Sequence, residues 1–457
     1  ILWGDGQVLI IMLLACGIWF TVKLGGVQLR HFGHMFSLLK GSNTSTKDGI
    51  SSFQALCTSL SARVGTGNLA GVAVAISLGG SGAIFWMWMI ALLGMATGFA
   101  ESVLGQLYKV RDENGEFRGG PAYYIKQGLN KTWLAVAFSL CLFFGYGFVF
   151  SAVQANTITD ALNNAYSFPS EYVGLAIIAL AALIVIGGLR GIARFAEFVV
   201  PFMGIGYVLV ALAITFINIS ELPAMLLDIV KSAFGLQEAG AGALGAAIKN
   251  GIQRGLYSNE AGSGSVPHAA ASAVPNPNHP VSQGYIQMLG VFLDTLVLCT
   301  STAFIILLAG GSSSDQMEGI RLTQDAMSSH LGEGGTDFVA AAISLFAFTS
   351  VVANYAYGES NLHMFKLDNK IGRAVYTIGY LGMIYWGAQA ALPQVWAMAD
   401  MALGLMTVIN IIAIVWMTPT IVSISKDYFK KKDSGEKVEY KVGDCEIQGR
   451  SEDGVWD

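Results

Sequence analysis

Two short strings hold most of the side chains and backbone that could grip a small charged ligand. Ser61–Gly71 reads S-A-R-V-G-T-G-N-L-A-G, and Arg254–Gly262 reads R-G-L-Y-S-N-E-A-G. Set on their arginines, the strings repeat residue types: Arg63 with Arg254, Asn68 with Asn259, Ala70 with Ala261, and Gly71 with Gly262. Gly65, Thr66, Gly67 and Asn68 are poor helix formers, yet they lie in an apolar run, Phe53 to Leu78. Within a bilayer, broken backbone persists only where protein buries it or a water-filled cavity meets it. Each string therefore reads as a membrane helix interrupted at mid-depth. Two Gly-interrupted segments at matching places in two halves are the sequence mark of a transporter binding site.

The chemistry offered is recognition of a zwitterion. Thr66, Gly67 and Asn68 would present backbone N–H groups at a half-helix N-terminus, whose partial positive charge suits a carboxylate. Gly67 and Gly71 would let a ligand approach the backbone. The second break contributes Tyr257, Ser258, Asn259, Glu260, Gly262 and Ser263 to the candidate substrate site. Glu260 either meets the substrate amino group or caps exposed N–H groups. Arg63 and Arg254 are each a carboxylate clamp, a gate ion pair or an internal strut. Gln154 is a candidate pocket residue, as are Asn156 and Asn354, while a lone buried amide otherwise ties helices together. His268 follows Pro267 and reads as a satisfied surface histidine. Aromatics Phe143, Phe144, Tyr146, Phe148 and Phe150 supply bulk for a far wall.

The elements that position these residues follow from composition. The 457 residues are 53% hydrophobic and only 12% charged, where soluble proteins carry about 25% charge. Apolar runs of about 20 residues suffice to span a bilayer. Eleven spans are expected: Val8–Leu24, Ile50–Leu78, Ala83–Tyr108, Trp133–Asn156, Tyr172–Leu189, Phe195–Ile217, Leu244–Ala273, Tyr285–Ala309, Phe338–Phe365, Ala374–Trp386 and Gln394–Ile424. The fourth continues as a polar end towards Tyr166, and R-G-I-A-R, Arg190–Arg194, reads as a tight turn before the sixth. Gln7–Leu24 lacks a basic leader and reads as a retained helix. A surface helix is expected within the acidic connector Gly310–Thr336, and the polar tail Lys426–Asp457 reads as solvated or loosely folded.

Alternate connectors carry the basic residues: Arg30, Lys40 and Lys47; Lys109 to Lys131; Arg190 and Arg194; Lys366, Lys370 and Arg373; then Lys426 and Lys430 to Lys432. The connectors between, including Asn218 to Glu238, are acidic, with Lys231 and Arg321 their only basic residues. The positive-inside rule makes the basic set cytoplasmic, with the N-terminus outside and the C-terminus inside. The five cysteines show neither metal-ligand nor disulfide spacing. Nothing pairs a nucleophile with a base, and no channel-type charge ring is visible, so an enzyme and a channel both fit poorly. No nucleic-acid partner and no obligate protein partner are indicated.

The first string, with G-F-A-E-S-V-L-G-Q-L-Y-K (Gly98–Lys109), G-G-P-A-Y-Y-I (Gly119–Ile125) and G-L-Y-S-N-E-A-G-S-G-S (Gly255–Ser265), resembles the alanine or glycine:cation symporter family over nearly the whole chain. The resemblance implies an all-α polytopic protein of the leucine-transporter-like fold, eleven helices built as a 5+5 inverted repeat after one extra helix. Its parts would be residues 1–48, the extra helix and connector; 49–218 and 219–425, the repeats; and 426–457, a cytoplasmic tail. It implies sodium-coupled symport of L-alanine and glycine across the cell membrane, with Na+ as the coupling ion, and recognition resting mainly on the backbone extends the expectation to D-alanine. Proton coupling, through Glu101, Glu260 or His268, and a non-transporting sensor on the same scaffold remain alternatives.

Resemblance to the wider fold implies a sodium site in which the hydroxyls of Thr349 and Ser350 stand against the carbonyls of Ser61 and Val64, with the Phe346 carbonyl one turn earlier. By the same matching Asn68 and Ser258 resemble ligands of a second sodium site. Glu101 resembles the glutamate that braces the unwound backbone of the second broken helix, a scaffold role. Close backbone and a bulky wall imply a pocket that takes glycine and alanine and rejects leucine and phenylalanine.

Overall fold

Long apolar runs become helices because, in hydrocarbon, each backbone N–H and C=O must find its partner within the segment. The computed structural model describes residues 3, 7–42, 49–112, 115–185, 187–236, 241–311 and 319–456. Lys47, Glu238 and Asp457, named above, lie outside them. The first half contains α1 (Val8–Lys23), α2 (Phe32–Leu39), α3 (Ser52–Arg63), α4 (Gly67–Gly79), α5 (Gly82–Leu107), α6 (Pro121–Gly128), α7 (Thr132–Tyr166), α8 (Ser170–Val185) and α9 (Gly188–Ile217). The second contains α10 (Leu222–Ala233), α11 (Ala241–Asn259), α12 (Val266–Ala271), α13 (Pro280–Leu308), α14 (Ile320–Leu331), α15 (Gly334–Phe365), α16 (Lys370–Gln389), α17 (Leu392–Trp416) and α18 (Thr418–Ser434). Among the described residues, α5, α7, α9, α13, α15 and α17 are long and apolar enough to cross a membrane, and α1, α4 and α8 are shorter apolar helices. The protein is an all-α polytopic membrane protein.

Helix α9 shows how such a segment divides its faces. Ala193, Ala196, Val200, Met203, Tyr207, Ala211 and Ile214 are buried, while Phe198, Phe202, Ile205, Leu209, Leu212 and Phe216 stay exposed. Both faces are apolar, which suits a helix with protein on one side and lipid on the other.

Both interrupted helices are interrupted. The first splits into α3 and α4 around Val64–Thr66, and the second into α11 and α12 around Glu260–Ser265. They run in opposite directions side by side. At one end, Ile50 and Ser51 pair with Ala273 and Val274. At the other, Gly79 lies so close to α11 that an added Cβ would stand 3.0 Å from the Ala246 carbonyl.

Four expectations change. Arg190–Arg194 is not a turn but the first turns of α9; the reversal falls earlier, where Gly188 takes a left-handed φ of 63°. The last apolar run is not one helix, because Met417 leaves helical geometry and Pro419 follows it, separating α17 from α18. Asn218–Glu238 contains α10, with Pro223 in its first turn. The tail is not loosely solvated: Tyr440 and Trp456 are buried, Trp456 Nε1 donates to Leu107 O at 3.2 Å, and Tyr440 N donates to Asn278 O at 2.9 Å. The expected surface helix of the acidic connector is α14.

Candidate functional site

The first break is held open by side chains rather than by its own helix. Gly65 N donates to Asn68 Oδ1 at 3.0 Å. Thr66 N and Thr66 Oγ1 donate to Gln154 Oε1, at 2.9 and 2.8 Å, from α7. A Cβ on Gly65 would stand 2.7 Å from that same Gln154 oxygen and collide with Ser350 Oγ, so only glycine admits both neighbours. Below the break, oxygen atoms converge between α3 and α15. Ser350 Oγ lies 2.9 Å from Ser61 O, 3.3 Å from Val64 O and 3.2 Å from Phe346 O. Thr349 Oγ1 donates to Phe346 O at 2.8 Å, and Ser61 Oγ donates to Thr349 O at 2.8 Å. The Phe346 ring takes no part; it packs against Tyr207.

Beyond the break the chain enters a π-helical turn, Gly67–Gly71, which widens the helix and turns Asn68 towards α11 and α13. Asn68 Nδ2 lies 3.1 Å from Ser258 Oγ and 2.7 Å from Asp294 Oδ1. Asp294 sits in a second π-helical stretch, Phe292–Cys299, and also accepts from Ser258 Oγ and Thr295 Oγ1, each at 2.7 Å.

The second break is strained and braced. Glu260, Gly262 and Gly264 have φ of 59°, 99° and 86°. Glu101 from α5 accepts from Gly262 N at 2.9 Å and Gly264 N at 3.0 Å. Asn410 from α17 donates to the same carboxylate and to Gly262 O at 3.0 Å. Glu260 accepts from Ser265 Oγ at 2.6 Å.

Where the breaks meet, an enclosed cavity of about 10 Å³ is lined by Arg63, Tyr146, Phe150, Gln154, Tyr257, Glu260, Asn354 and Leu403, with Ala62. That is room for about one water. Arg63 is buried, and its Nε and Nη2 have no hydrogen-bond partner; neither do Tyr257 Oη and Asn354 Oδ1.

Other sequence candidates lie elsewhere. Gly71 does not line the cavity; a Cβ added there would meet Thr66 O and Trp396 at ordinary contact distance. Gly262 faces Glu101, Ser263 Oγ donates to Glu260 O at 2.7 Å, and Asn259 Oδ1 accepts from Ala261 N at 3.0 Å. Arg254 forms an ion pair with Asp400 at 2.7 Å and stacks on Trp396. Asn156 does not line this cavity but another, beside Asp160 and Arg321; it donates to Gly387 O and Ala390 O of the α16 end at 2.9 and 2.7 Å. His268 is not at the surface: it is buried, its Nδ1 is 3.0 Å from Ser265 O, and its ring packs against Gly120. Of the α7 aromatics, Tyr146 and Phe150 line the cavity. Phe143 and Phe148 turn to Tyr376, and Phe144 is exposed. Asp294 and Asn410 escaped the sequence reading, although an ionisable or amide group inside an apolar span is itself a signal.

Comparison with known proteins identifies the class. The family model described as the sodium:alanine symporter family matches residues 1–442. A probable sodium/glutamine symporter of Bacillus subtilis is 46% identical over 437 residues, 95% of this chain and 90% of the relative. An amino-acid carrier protein of the same organism is 44% identical over 93% of this chain and 90% of its own length. A sodium/alanine symporter of Methanococcus maripaludis is 37% identical over 93% of this chain and 94% of its own length. The chain belongs to the sodium:alanine symporter family, and is a membrane transporter of the sodium-coupled amino-acid symporter class rather than an enzyme.

Proposed function

We propose that this transporter carries small neutral amino acids, alanine and glycine foremost, into the cell with sodium by alternating access. The observation that carries the reading is the enclosed cavity between the two breaks, with the guanidinium of Arg63, whose Nε and Nη2 have no hydrogen-bond partner, and a carboxylate, Glu260, on its wall. A zwitterion brings the complementary charges. Its carboxylate meets Arg63 and the Thr66 N–H now taken by Gln154, and its ammonium meets Glu260. Tyr146, Phe150, Tyr257 and Leu403 form the apolar part of the cavity wall, against which a side chain would pack. With recognition resting on backbone and the charged pair, D-alanine is admitted too.

Sodium is assigned to the carbonyls of Ser61, Val64 and Phe346 with the hydroxyls of Thr349 and Ser350, where α3 meets α15. A cation there ties the broken helix to α15, so binding favours one arrangement of the two. A second seat is assigned to Asn68 and Ser258. The architecture is read as eleven spans: an extra helix in 1–48, inverted five-helix repeats in 49–218 and 219–425, and a cytoplasmic tail. Its support is the antiparallel pairing of the two broken helices. The basic connectors support an orientation in the cell membrane with the N-terminus outside and the C-terminus inside.

A glutamine-sized substrate is the second reading. The 46% identical relative is named for glutamine, and the unpartnered Asn354 Oδ1 on the cavity wall is an acceptor that a side-chain amide would satisfy. Uptake of labelled L-alanine into proteoliposomes, with sodium and pH gradients imposed separately, tests the proposal. Sodium-driven accumulation inhibited by glycine and D-alanine is expected. Glutamine inhibition stronger than that of glycine selects the second reading. Accumulation driven by a pH gradient without sodium means proton coupling, and binding without accumulation means a sensor.

A further inference from the structure

The two broken helices are tied together by backbone where α3 begins and α12 ends. Ile50 and Ser51 pair with Ala273 and Val274, and Ile50 N donates to Ser272 O at 3.2 Å. Two side chains from the end of α5 hold the α12 side of this tie. Gln106 Nε2 donates to Ala273 O at 2.8 Å. Lys109 Nζ donates to the same oxygen at 3.0 Å and to Gln106 Oε1 at 2.9 Å.

Lys109 is a cation in a place that disfavours one. It is 2% exposed, and its two hydrogen-bond partners are an amide oxygen and a backbone carbonyl, neither of them charged. Burial pulls its pKa well below the usual lysine range. The two oxygens oppose that pull, and so do two ring faces, Phe117 at 4.0 Å and Trp456 at 4.7 Å from Nζ. A ring face attracts an ammonium more strongly when both are out of water. Phe117 is a near neighbour in sequence, whereas Trp456 comes from the far end of the chain. The tail that brings it is bonded on the way. Tyr440 N donates to Asn278 O at 2.9 Å, Gln448 N to Thr420 Oγ1 at 2.9 Å and Arg450 N to Gln127 O at 3.4 Å. Tyr108 Oη donates to Gln448 O. Trp456 Nε1 then donates at 3.2 Å to Leu107 O, a carbonyl that the end of α5 leaves without a helical partner.

We propose that the tail is a clasp on the cytoplasmic gate: Trp456 keeps the Lys109 ammonium dry and so holds it on the Ala273 carbonyl, at the tie between the broken helices. The proposal rests on alternating access as set out above, in which this end parts to release substrate into the cell. With the tail down, the tie is made and the cavity between the breaks is enclosed. With the tail lifted, water takes the ammonium, the Ala273 carbonyl loses its charged donor, and α3 and α12 separate more readily. Trp456 and Lys109 are positioning residues: both act on the gate through Ala273, and neither lines the cavity. The tail thereby sets how often the site opens inward.

The test reads gate opening directly. Ile50→Cys puts a thiol at the tie, where Ile50 is buried. Its labelling by a membrane-impermeant maleimide is followed in inside-out vesicles, against the same protein without the added thiol. Adding Trp456→Ala is expected to speed labelling about tenfold, the effect of losing one charge-assisted hydrogen bond. Trp456→Phe, which keeps a ring face, is expected to stay close to the parent rate. Lys109→Met is expected to label as fast as Trp456→Ala, and the two together no faster than either alone, because they break one device. Equal labelling with and without Trp456→Ala overturns the proposal. So do effects of Trp456→Ala and Lys109→Met that multiply in the double variant, which makes the tail a separate structural anchor. Where Trp456→Ala does not fold, deletion of 436–457 decides: labelling at the parent rate refutes the clasp. Parent labelling that ignores both sodium and alanine overturns the alternating-access reading at this end, and it is scored apart from the comparison between parent and tail variants.

Discussion

Replacing Ser350 by alanine removes one hydroxyl from the place where α3 and α15 meet. Ser350 Oγ touches three carbonyls, at 2.9 Å (Ser61), 3.3 Å (Val64) and 3.2 Å (Phe346). A hydroxyl has one proton, so it satisfies one carbonyl at a time. In the sodium-free protein its loss costs about 0.5–1.5 kcal/mol, the net value of one hydrogen bond. With sodium seated, the oxygen instead faces a full charge, and contacts of that kind are worth about 1.5–3 kcal/mol. The difference, about 1–1.5 kcal/mol, raises the sodium midpoint about five- to twelvefold. Thr349→Val follows the same logic, because Thr349 Oγ1 has only the in-helix bond to Phe346 O and a distant Met203 sulfur to lose. The assay is a sodium titration of L-alanine binding, run beside thermal melts without sodium. Lower melting temperatures with unchanged sodium midpoints in both variants would refute the assignment, leaving the hydroxyls as a staple between helices.

Three further outcomes are expected. Glu101→Gln should retain substantial transport, since an amide oxygen still accepts from Gly262 N and Gly264 N, whereas Glu101→Leu strands both N–H groups at about 1–3 kcal/mol each; near-complete loss in a well-folded glutamine variant would mean the charge itself is needed. Glycine and serine should compete with labelled L-alanine and leucine should not, because each methylene that a pocket cannot place costs about 10–200-fold; leucine competing as well as alanine would disprove the small pocket. Burial pushes the His279 imidazole down to about 4, against the pull of neighbouring Asp427, while its Nδ1 accepts from Val281 N at 3.2 Å. A histidine that binds its proton near 6.5 unfolded and near 4 folded contributes fully above 6.5 and loses stability as pH falls towards 4, about 2 kcal/mol by pH 5. Thermal melts of His279→Asn should therefore fall less between pH 7 and 5 than those of the wild type, and parallel slopes would remove His279 as a cause.

Hydropathy made the long helices readable, because a spanning segment must be apolar wherever lipid touches it. It misplaced what hydropathy does not govern. The α8–α9 reversal is set by Gly188 at positive φ, while the arginines two and six residues later are compatible with a helix and only looked like a turn. The tail is polar in bulk, but Tyr440 and Trp456 anchor it, their rings 5.6 Å apart with Lys109 stacked on Trp456 at 4.7 Å. Two aromatic anchors do not change the average of a charged stretch, yet they decide where it lies.

Within the site, glycine clusters marked the breaks but could not say which side chains the breaks aim. That depends on π-helical turns, which occur at Gly67–Gly71, Gly145–Val149 and Phe292–Cys299. Such a turn inserts one residue into the helix and so rotates everything beyond it by about 100°, the angle of one helical residue. No residue type signals it. A helical wheel drawn through Phe292–Cys299 therefore puts Asp294 and Cys299 on faces they do not share, though Asn68 Nδ2 reaches both. The same displacement in α7 lets Tyr146 and Phe150 face the cavity while Phe143 and Phe148 face Tyr376. The register shifts gather where the helices must offer polar groups to one another. A π turn makes that shift in backbone hydrogen bonding, without adding a polar residue for hydropathy to detect.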